Sequence, residues 1–193
     1  KDRFYPVTVA LKYRTFPKDD IIEMWTETTN NEKKNITLRQ FASMSLPVRY
    51  GDVWLQNYHG AWANEARVND EPLRPGMKVI KNRDGGRNSH TSHGEIMLSL
   101  DGKAQEQTGR VIGAAVEYGG NYKLRIDTDE SLQHRLFAGM DEENSAYNLK
   151  PKETFVTPPV AMTYSADGMG TVSRRFHRWG RENRLAHGDK ERK

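Results

Sequence analysis

Tyr122-Lys123-Leu124-Arg125-Ile126-Asp127 is the stretch that decides the fold class. Apolar and charged residues alternate strictly in it. Successive strand side chains point to opposite faces, whereas a helix would bring its apolar residues back at spacings of three and four. Gly119-Gly120-Asn121 supplies a turn just before it. Further back, Val111 to Tyr118 (VIGAAVEY) is small and apolar, as in a strand covered on both sides, and Ile96 to Leu100 is a strand ended by the Asp101-Gly102 turn. Asn82 to Gly94 contains no aliphatic residue and reads as a loop, and Met77 to Lys81 as a short strand. Residues 64–76, charged and carrying Pro72, Pro75 and Gly76, read as a long connection.

The same logic extends to both ends. Val7 to Arg14 alternates, and Ile21 to Thr29 is β-branched and aromatic. Asn30-Asn31 suits a hairpin turn into a return strand over Ile36 to Leu46, with Ile36, Leu38, Gln40 and Ala42 on one face. Leu132 to Gly139, Tyr147 to Leu149, Thr154 to Thr157 and Val160 to Tyr164 complete a series of short strands separated by turn signals. That series predicts an all-β chain, an antiparallel sandwich over residues 1–166. One helix closes it over 167–186. Asp167 is placed to cap it, and Met169, Val172, Phe176 and Trp179 form one apolar stripe at helical period. Residues 187–193 are a polar tail.

Composition sets the remaining bounds. With 193 residues and 35% hydrophobic content the chain can bury a sizeable core. It has no cysteine, hence no disulfide and no thiolate metal site, and no stretch apolar enough to span a membrane. The net charge of +4 is concentrated at the end: residues 168–193 carry eight Lys/Arg and three acids. One basic helix is more simply a solvated or packing element than a nucleic-acid surface, so no nucleic-acid partner is expected.

Candidate binding residues cluster between Tyr50 and Trp62, where Tyr50, Trp54, Tyr58 and Trp62 alternate with Asp52, Gln56, Asn57 and His59. Aromatic rings beside amides and carboxylates suit sugars, which present CH faces and hydroxyls. Trp54, Tyr58, His59, Trp62 and, from the polar loop, His90 are therefore sugar- or interface-contact candidates. The competing reading makes Trp54 and Trp62 packing residues, and the direction of the rings separates the two. His90-x-x-His93 could chelate a metal with Asp84 or Glu95, but loop polarity explains these residues as well, and neither metal nor cofactor is expected. Asp52 with Glu65, or Asp127 with Asp129, could be imagined as an acid/base pair, but spacing along strands gives no reason to bring them together. Asn35-Ile36-Thr37 matches a glycosylation sequon, a short pattern of little specificity.

Several segments together resemble the N-terminal domain of glycoside hydrolase family 36. Gly60-Ala61-Trp62-Ala63-Asn64-Glu65 is similar to its GxWxxE segment, and Tyr13 to Pro17 with Asp20-Ile21-Ile22 to its paired strands. Gly86 to His90 resembles its Gly-x-Ser-Ser-His loop, although Thr91-Ser92-His93-Gly94-Glu95 departs from the Asn-Pro-Phe that usually follows. Tyr118 to Tyr122 resembles its Tyr-Ser-Gly-Asn turn, and Leu149 to Phe155 with Thr157-Pro158 its Leu-x-Pro-Gly-Glu-x-Phe-x-Thr-Pro stretch. Phe176-His177-Arg178 resembles the helix leading into its barrel. The resemblance implies a β-supersandwich, the C-terminal portion of that domain. The parent enzyme would be a retaining α-galactosidase whose catalytic aspartates lie on a (β/α)8 barrel beyond Lys193, so no catalytic residue carries over to this chain. It also implies that the missing barrel is the principal partner, with homo-oligomerisation and an α-galactoside sugar as further expectations. The alternative is a free-standing carbohydrate-binding module.

Overall fold

The computed structural model describes residues 4–48, 50–85, 88–187 and 190. Parts of the Gly86–His90 loop and of the 187–193 tail lie outside the described residues, as do the side chains of Asn88 and Ser89. The chain forms β1 (Val7–Phe16), β2 (Ile21–Asn30), β3 (Ile36–Leu38), β4 (Met44–Val48), β5 (Val53–His59), β6 (Arg67–Pro72) and β7 (Gly76–Asn82). After the short helix α1 (Asn88–Thr91) come β8 (Ser92–Leu100), β9 (Arg110–Val116), β10 (Tyr122–Thr128) and β11 (His134–Met140). β12 (Tyr147–Leu149), β13 (Thr154–Val156), β14 (Val160–Ser165) and α2 (Gly168–Asn183) complete it.

The strands make an antiparallel sandwich. The larger sheet runs β1-β2-β14-β9-β8-β5-β6, with β13 also pairing β2; a four-stranded sheet, β4-β11-β10-β7, faces part of it, and β12 and β3 form a two-stranded ribbon. Period-two patterning accounts for the core. Tyr122, Leu124 and Ile126 of β10 are buried, while Lys123, Arg125 and Asp127 face outward. They meet Leu55, Leu98 and Ala114 from the large sheet and Leu136 from β11 in one cluster. Full burial of each Leu or Ile contributes about 1.5–3 kcal/mol, so this cluster carries the fold.

Three sequence expectations are corrected. The return strand over Ile36 to Leu46 does not form: β3 stops at Leu38 and pairs with β12, while β4 belongs to the other sheet. Residues between them cross from one layer to the other, held where Thr26 Oγ1 donates to the Ala42 carbonyl (3.0 Å). The hairpin partner of β2 is β1 instead. The segment read as a connection contains an edge strand, β6, paired with β5; its polar composition reflects exposure, which hydrophobic patterning cannot register. Finally, Asp167 is the N-cap of α2 but makes no side-chain cap bond. The Gln105 and Glu106 carbonyls accept the Met169 and Gly170 amides instead (3.0 and 2.9 Å).

That helix lies across the outer face of the large sheet. Val172 packs with Met97 and Val111, and Trp179 with Ile21 and Ala161. Gly113 of β9 makes the approach possible: a Cβ there would stand 2.5 Å from Val172 Cγ1 and 2.6 Å from Phe176 Cε2.

Candidate functional site

β5 alternates cleanly between the two faces of the large sheet. Val53, Leu55 and Asn57 point into the core, leaving Trp54, Gln56 and Tyr58 half-buried on the outer face. Their cross-strand partners are Pro72, Asp70 and Val68 on β6, and Ser99 and Met97 on β8 face Trp54 and Gln56. Gln56 Nε2 donates to Asp70 Oδ1 (3.2 Å), and Lys103 pairs with the other Asp70 oxygen (3.1 Å). Beside this row, α2 contributes Ser173, Phe176 and His177, which with Tyr58 and Glu95 line a small cleft of about 90 Å³. Burial, followed by the charges of Glu95 and Asp70, raises the Tyr58 hydroxyl above its ordinary value, so it stays a neutral donor. Trp54 and Tyr58 therefore do not lie between the sheets; they flank an amide on an accessible face.

At the end of β5 the pairing with β8 is irregular, and the exposed His59 sits opposite Ser92. A tight turn follows. Ala61 and Asn64 exchange backbone hydrogen bonds, Ala63 and Ala66 adopt left-handed φ of 57° and 58°, and Glu65 Oε1 accepts the Ala63 amide. The Trp62 ring on this turn is 83% exposed. Gly60 is required where the turn meets α1: its amide donates to the Thr91 carbonyl, and a Cβ would lie 3.0 Å from the His90 carbonyl. His90 is thus brought next to the Trp62 turn through its backbone.

His93 is oriented differently from the chelate suggested by spacing. Its ring lies 5.5 Å from that of Tyr58, and its Nδ1 is 3.4 Å from Glu95 Oε1. Asp84 instead accepts the Thr91 hydroxyl (3.1 Å). Among the described residues no three His, Asp or Glu side chains come together as a metal site. Asp129 caps its own turn by accepting the Ser131 and Gln133 amides.

Sequence reasoning missed a cluster of charges under the end of α2. Glu23 of β2 is fully buried, with Arg184 at one oxygen and Arg14 of β1 at the other (3.4 Å). Arg184 Nε also donates to Glu117 Oε2 (2.5 Å), and its guanidinium stacks 4.7 Å over Trp179. Burial pushes the Glu117 carboxyl up to about 7, against the opposing pull of Arg14. Burial, then repulsion from Arg14, lowers the Arg184 guanidinium. Nearby, Arg178 binds Asp19 (2.6 Å), Arg175 binds Asp20 (2.7 Å) and Lys18 binds Glu182 (3.0 Å). The basic helix is thus clasped by the acids of the β1–β2 hairpin. The available signal was an isolated Glu inside the otherwise apolar start of β2, Ile21-Ile22-Glu23-Met24-Trp25. No helix among the described residues is long and apolar enough to cross a membrane.

Comparison with known proteins places the chain. The profile of the glycosyl hydrolase family 36 N-terminal domain matches residues 1–150. The chain is 29% identical over 182 residues to alpha-galactosidase C of Emericella nidulans, covering 94% of this chain and 24% of that protein. It is 30% identical over 194 residues to alpha-galactosidase AgaA of Geobacillus stearothermophilus, covering 99% of this chain and 26% of that one. Among solved structures, the family 36 alpha-galactosidase AgaB of the same organism superposes with a TM-score of 0.93 at 28% identity, over 99% of this chain and 26% of that chain. The 193 residues thus span about a quarter of the length of these relatives. On the extent of the profile match, this chain belongs to the glycosyl hydrolase family 36 N-terminal domain family.

Proposed function

We propose that this chain is a non-catalytic part of an α-galactosidase-like glycoside hydrolase that removes terminal α-galactosides with retention. In this reading residues 1–166 buttress a catalytic barrel carried by the rest of the polypeptide, 167–186 are the helix that leads into it, and 187–193 a polar tail. The observation that carries the reading is the match along nearly the whole chain to a quarter of each relative, at a TM-score of 0.93. The clasped α2 supports it, since a helix pinned along its length to the β1–β2 hairpin gives a following domain a fixed point of departure. Assembly into a homo-oligomer, with Trp62 and His90 near the contact, belongs to the same proposal; an 83% exposed indole on a constrained turn is a ready interface anchor. The test is hydrolysis of a nitrophenyl α-galactoside. The 193 residues alone give no turnover and the full-length protein does; turnover by the short chain, or none by the long one, overturns the reading.

The outward face of β5 specifically favours a second reading, a carbohydrate-binding surface. Trp54 and Tyr58 offer ring faces, and Gln56 and Asp70 offer hydrogen-bonding groups beside them. Galactose and short α-galactosides titrated into the chain should perturb the Trp54 indole and Gln56 amide signals in an NMR spectrum. Perturbation confined to other residues, or none at millimolar sugar, removes this reading.

A further inference from the structure

The outward row of β5 extends beyond the strand itself. Trp54, Gln56 and Tyr58 share one face, and the two rings stand four residues apart, about 13 Å along the strand. A single hexose ring does not span that distance. Asp70 of β6 stands opposite Gln56, fixed by the Gln56 amide (3.2 Å) and by Lys103 (3.1 Å), so the polar groups of the row lie midway along it. On the β8 side, Met97 is buried opposite Gln56 and Val172 of α2 packs on it, which sets the helix alongside the row. Ser173 and His177, one turn apart on α2, share a face and meet Tyr58, Glu95 and Phe176 around the cleft of about 90 Å³. On the other side, Val68 opposite Tyr58 is 54% exposed, and β6 is the last of the described strands in this sheet, so the row is open there.

The charges around the row disfavour a strongly charged ligand. Asp70 and Glu95 stand along it, and Arg181 follows His177 by one turn on the same face of α2. An anion meets the two carboxylates, and a cation meets the basic helix. What remains is a neutral ligand with apolar faces for the rings and hydroxyls for the amide, carboxylate, hydroxyl and imidazole groups. From this arrangement we infer that the α2 cleft is a second sugar subsite. The face then binds a linear neutral oligosaccharide, with one hexose over Trp54 and Gln56 and another seated against Tyr58, Ser173 and His177. The inference rests on the reading of the β5 face as carbohydrate-binding and deepens it. That reading needs only the strand and its neighbour β6. The second subsite makes chain length what the face selects, because a ligand long enough to reach both ends makes its second contact intramolecularly. It also gives α2 a part in recognition, through the side of the helix turned away from the acids of the β1–β2 hairpin.

The test titrates galactose, an α-galactobiose and an α-galactotriose into this chain and reads each dissociation constant from NMR shifts. Galactose should move the Trp54 indole and Gln56 amide signals, and the longer sugars should also move those of Tyr58, Ser173 and His177. Galactotriose should bind roughly tenfold more tightly than galactose. His177 is exposed, so His177→Ala leaves the packing of α2 on the sheet in place. It should remove most of that gain while changing galactose binding by less than about twofold, since the two subsites are far enough apart to act independently. Ser173→Ala, on the same face of the helix, should act in the same direction. Equal affinities for all three sugars, no shift at Ser173 and His177 with the longest, or a His177→Ala chain that keeps its preference for length would each overturn the inference and leave the strand reading standing. No shift at Trp54 or Gln56 with any of the sugars removes both.

Discussion

Replacing Gly113 by alanine tests the docking of α2 with a single methyl group. The added Cβ would lie 2.5 Å from Val172 Cγ1 and 2.6 Å from Phe176 Cε2, more than an ångström inside normal carbon contact. Val172 is fully buried and its β-branched side chain has little rotamer freedom, so the strain passes to the helix. Overpacking of this kind costs about 1–3 kcal/mol. Against it, alanine gains about 0.5–1 kcal/mol over glycine from the unfolded chain's lost freedom. The steric term wins, leaving a net loss of about 1–2 kcal/mol, or roughly 3–6 °C in melting temperature for a domain of this size. Urea unfolding followed by far-ultraviolet circular dichroism measures it. Gly113→Ala should be combined with Val172→Ala, which removes the obstructing methyl. The double variant should be less destabilised than the sum of the singles by about 1 kcal/mol. A Gly113→Ala protein as stable as the parent, or a coupling energy near zero, would mean that α2 does not rest on β9 as described.

Arg184→Met leaves the buried Glu23 with Arg14 alone; because Arg14 remains, the cost is about 2–3 kcal/mol, below that of a fully orphaned charge, read by the same urea unfolding. Glu117 should make stability fall as pH rises. Its carboxyl is raised from 4.5 to about 7 in the folded chain, so between those values the folded chain keeps a proton that the unfolded chain has lost. The stabilisation is therefore complete below about 4.5 and lost as pH passes 7, and Glu117→Gln should remove that slope from melts recorded between pH 5 and 8. Trp54→Ala, on an accessible face, should lower stability by less than Leu124→Ala, which empties a fully buried site at about 3–4 kcal/mol; thermal melts rank the two. If the second functional reading holds, Trp54→Ala also abolishes the sugar-induced NMR shifts.

Much of this architecture can be read directly from residue pattern. Strict alternation in Tyr122 to Asp127 gives both a strand and its buried face, because one register satisfies all six residues. The Met169-Val172-Phe176-Trp179 stripe likewise gives the helix and its buried side. Patterning fails where burial is slight: Arg67 to Pro72 is an edge strand held by its pairing with β5, and nothing in its side chains announces that. It also fails where the chain changes layers, since Ile36 to Leu46 alternates through a segment that belongs to two different sheets. For the candidate site, composition located the aromatic row, and the strand period put Trp54, Gln56 and Tyr58 on one face. Which face is outward depends on the pairing partners of β5, which are distant in sequence. Glu23, Glu117, Arg14 and Arg184 come from four elements, and such long-range charge pairing leaves no local pattern to read.

The large sheet carries two different kinds of surface, and the difference bears on how a longer enzyme would use it. Over β9, β14 and β2 its outer face is covered by α2 through contacts that specify position more than they add stability. A carboxylate with no exposure costs several kcal/mol to desolvate, and two guanidiniums offset that cost when they stand at its two oxygens. A helix shifted by one turn would leave Glu23, Asp19 and Asp20 facing the wrong partners, a penalty much larger than that for sliding an apolar stripe over an apolar sheet. The inner face at β1 has the opposite character: Val9, Leu11 and Tyr13 form an apolar row that is more than half exposed. Positional precision is thus concentrated at α2, where the charges pair. Under the proposed function that precision has a use, because an error in helix placement would be carried into the orientation of a catalytic unit attached there.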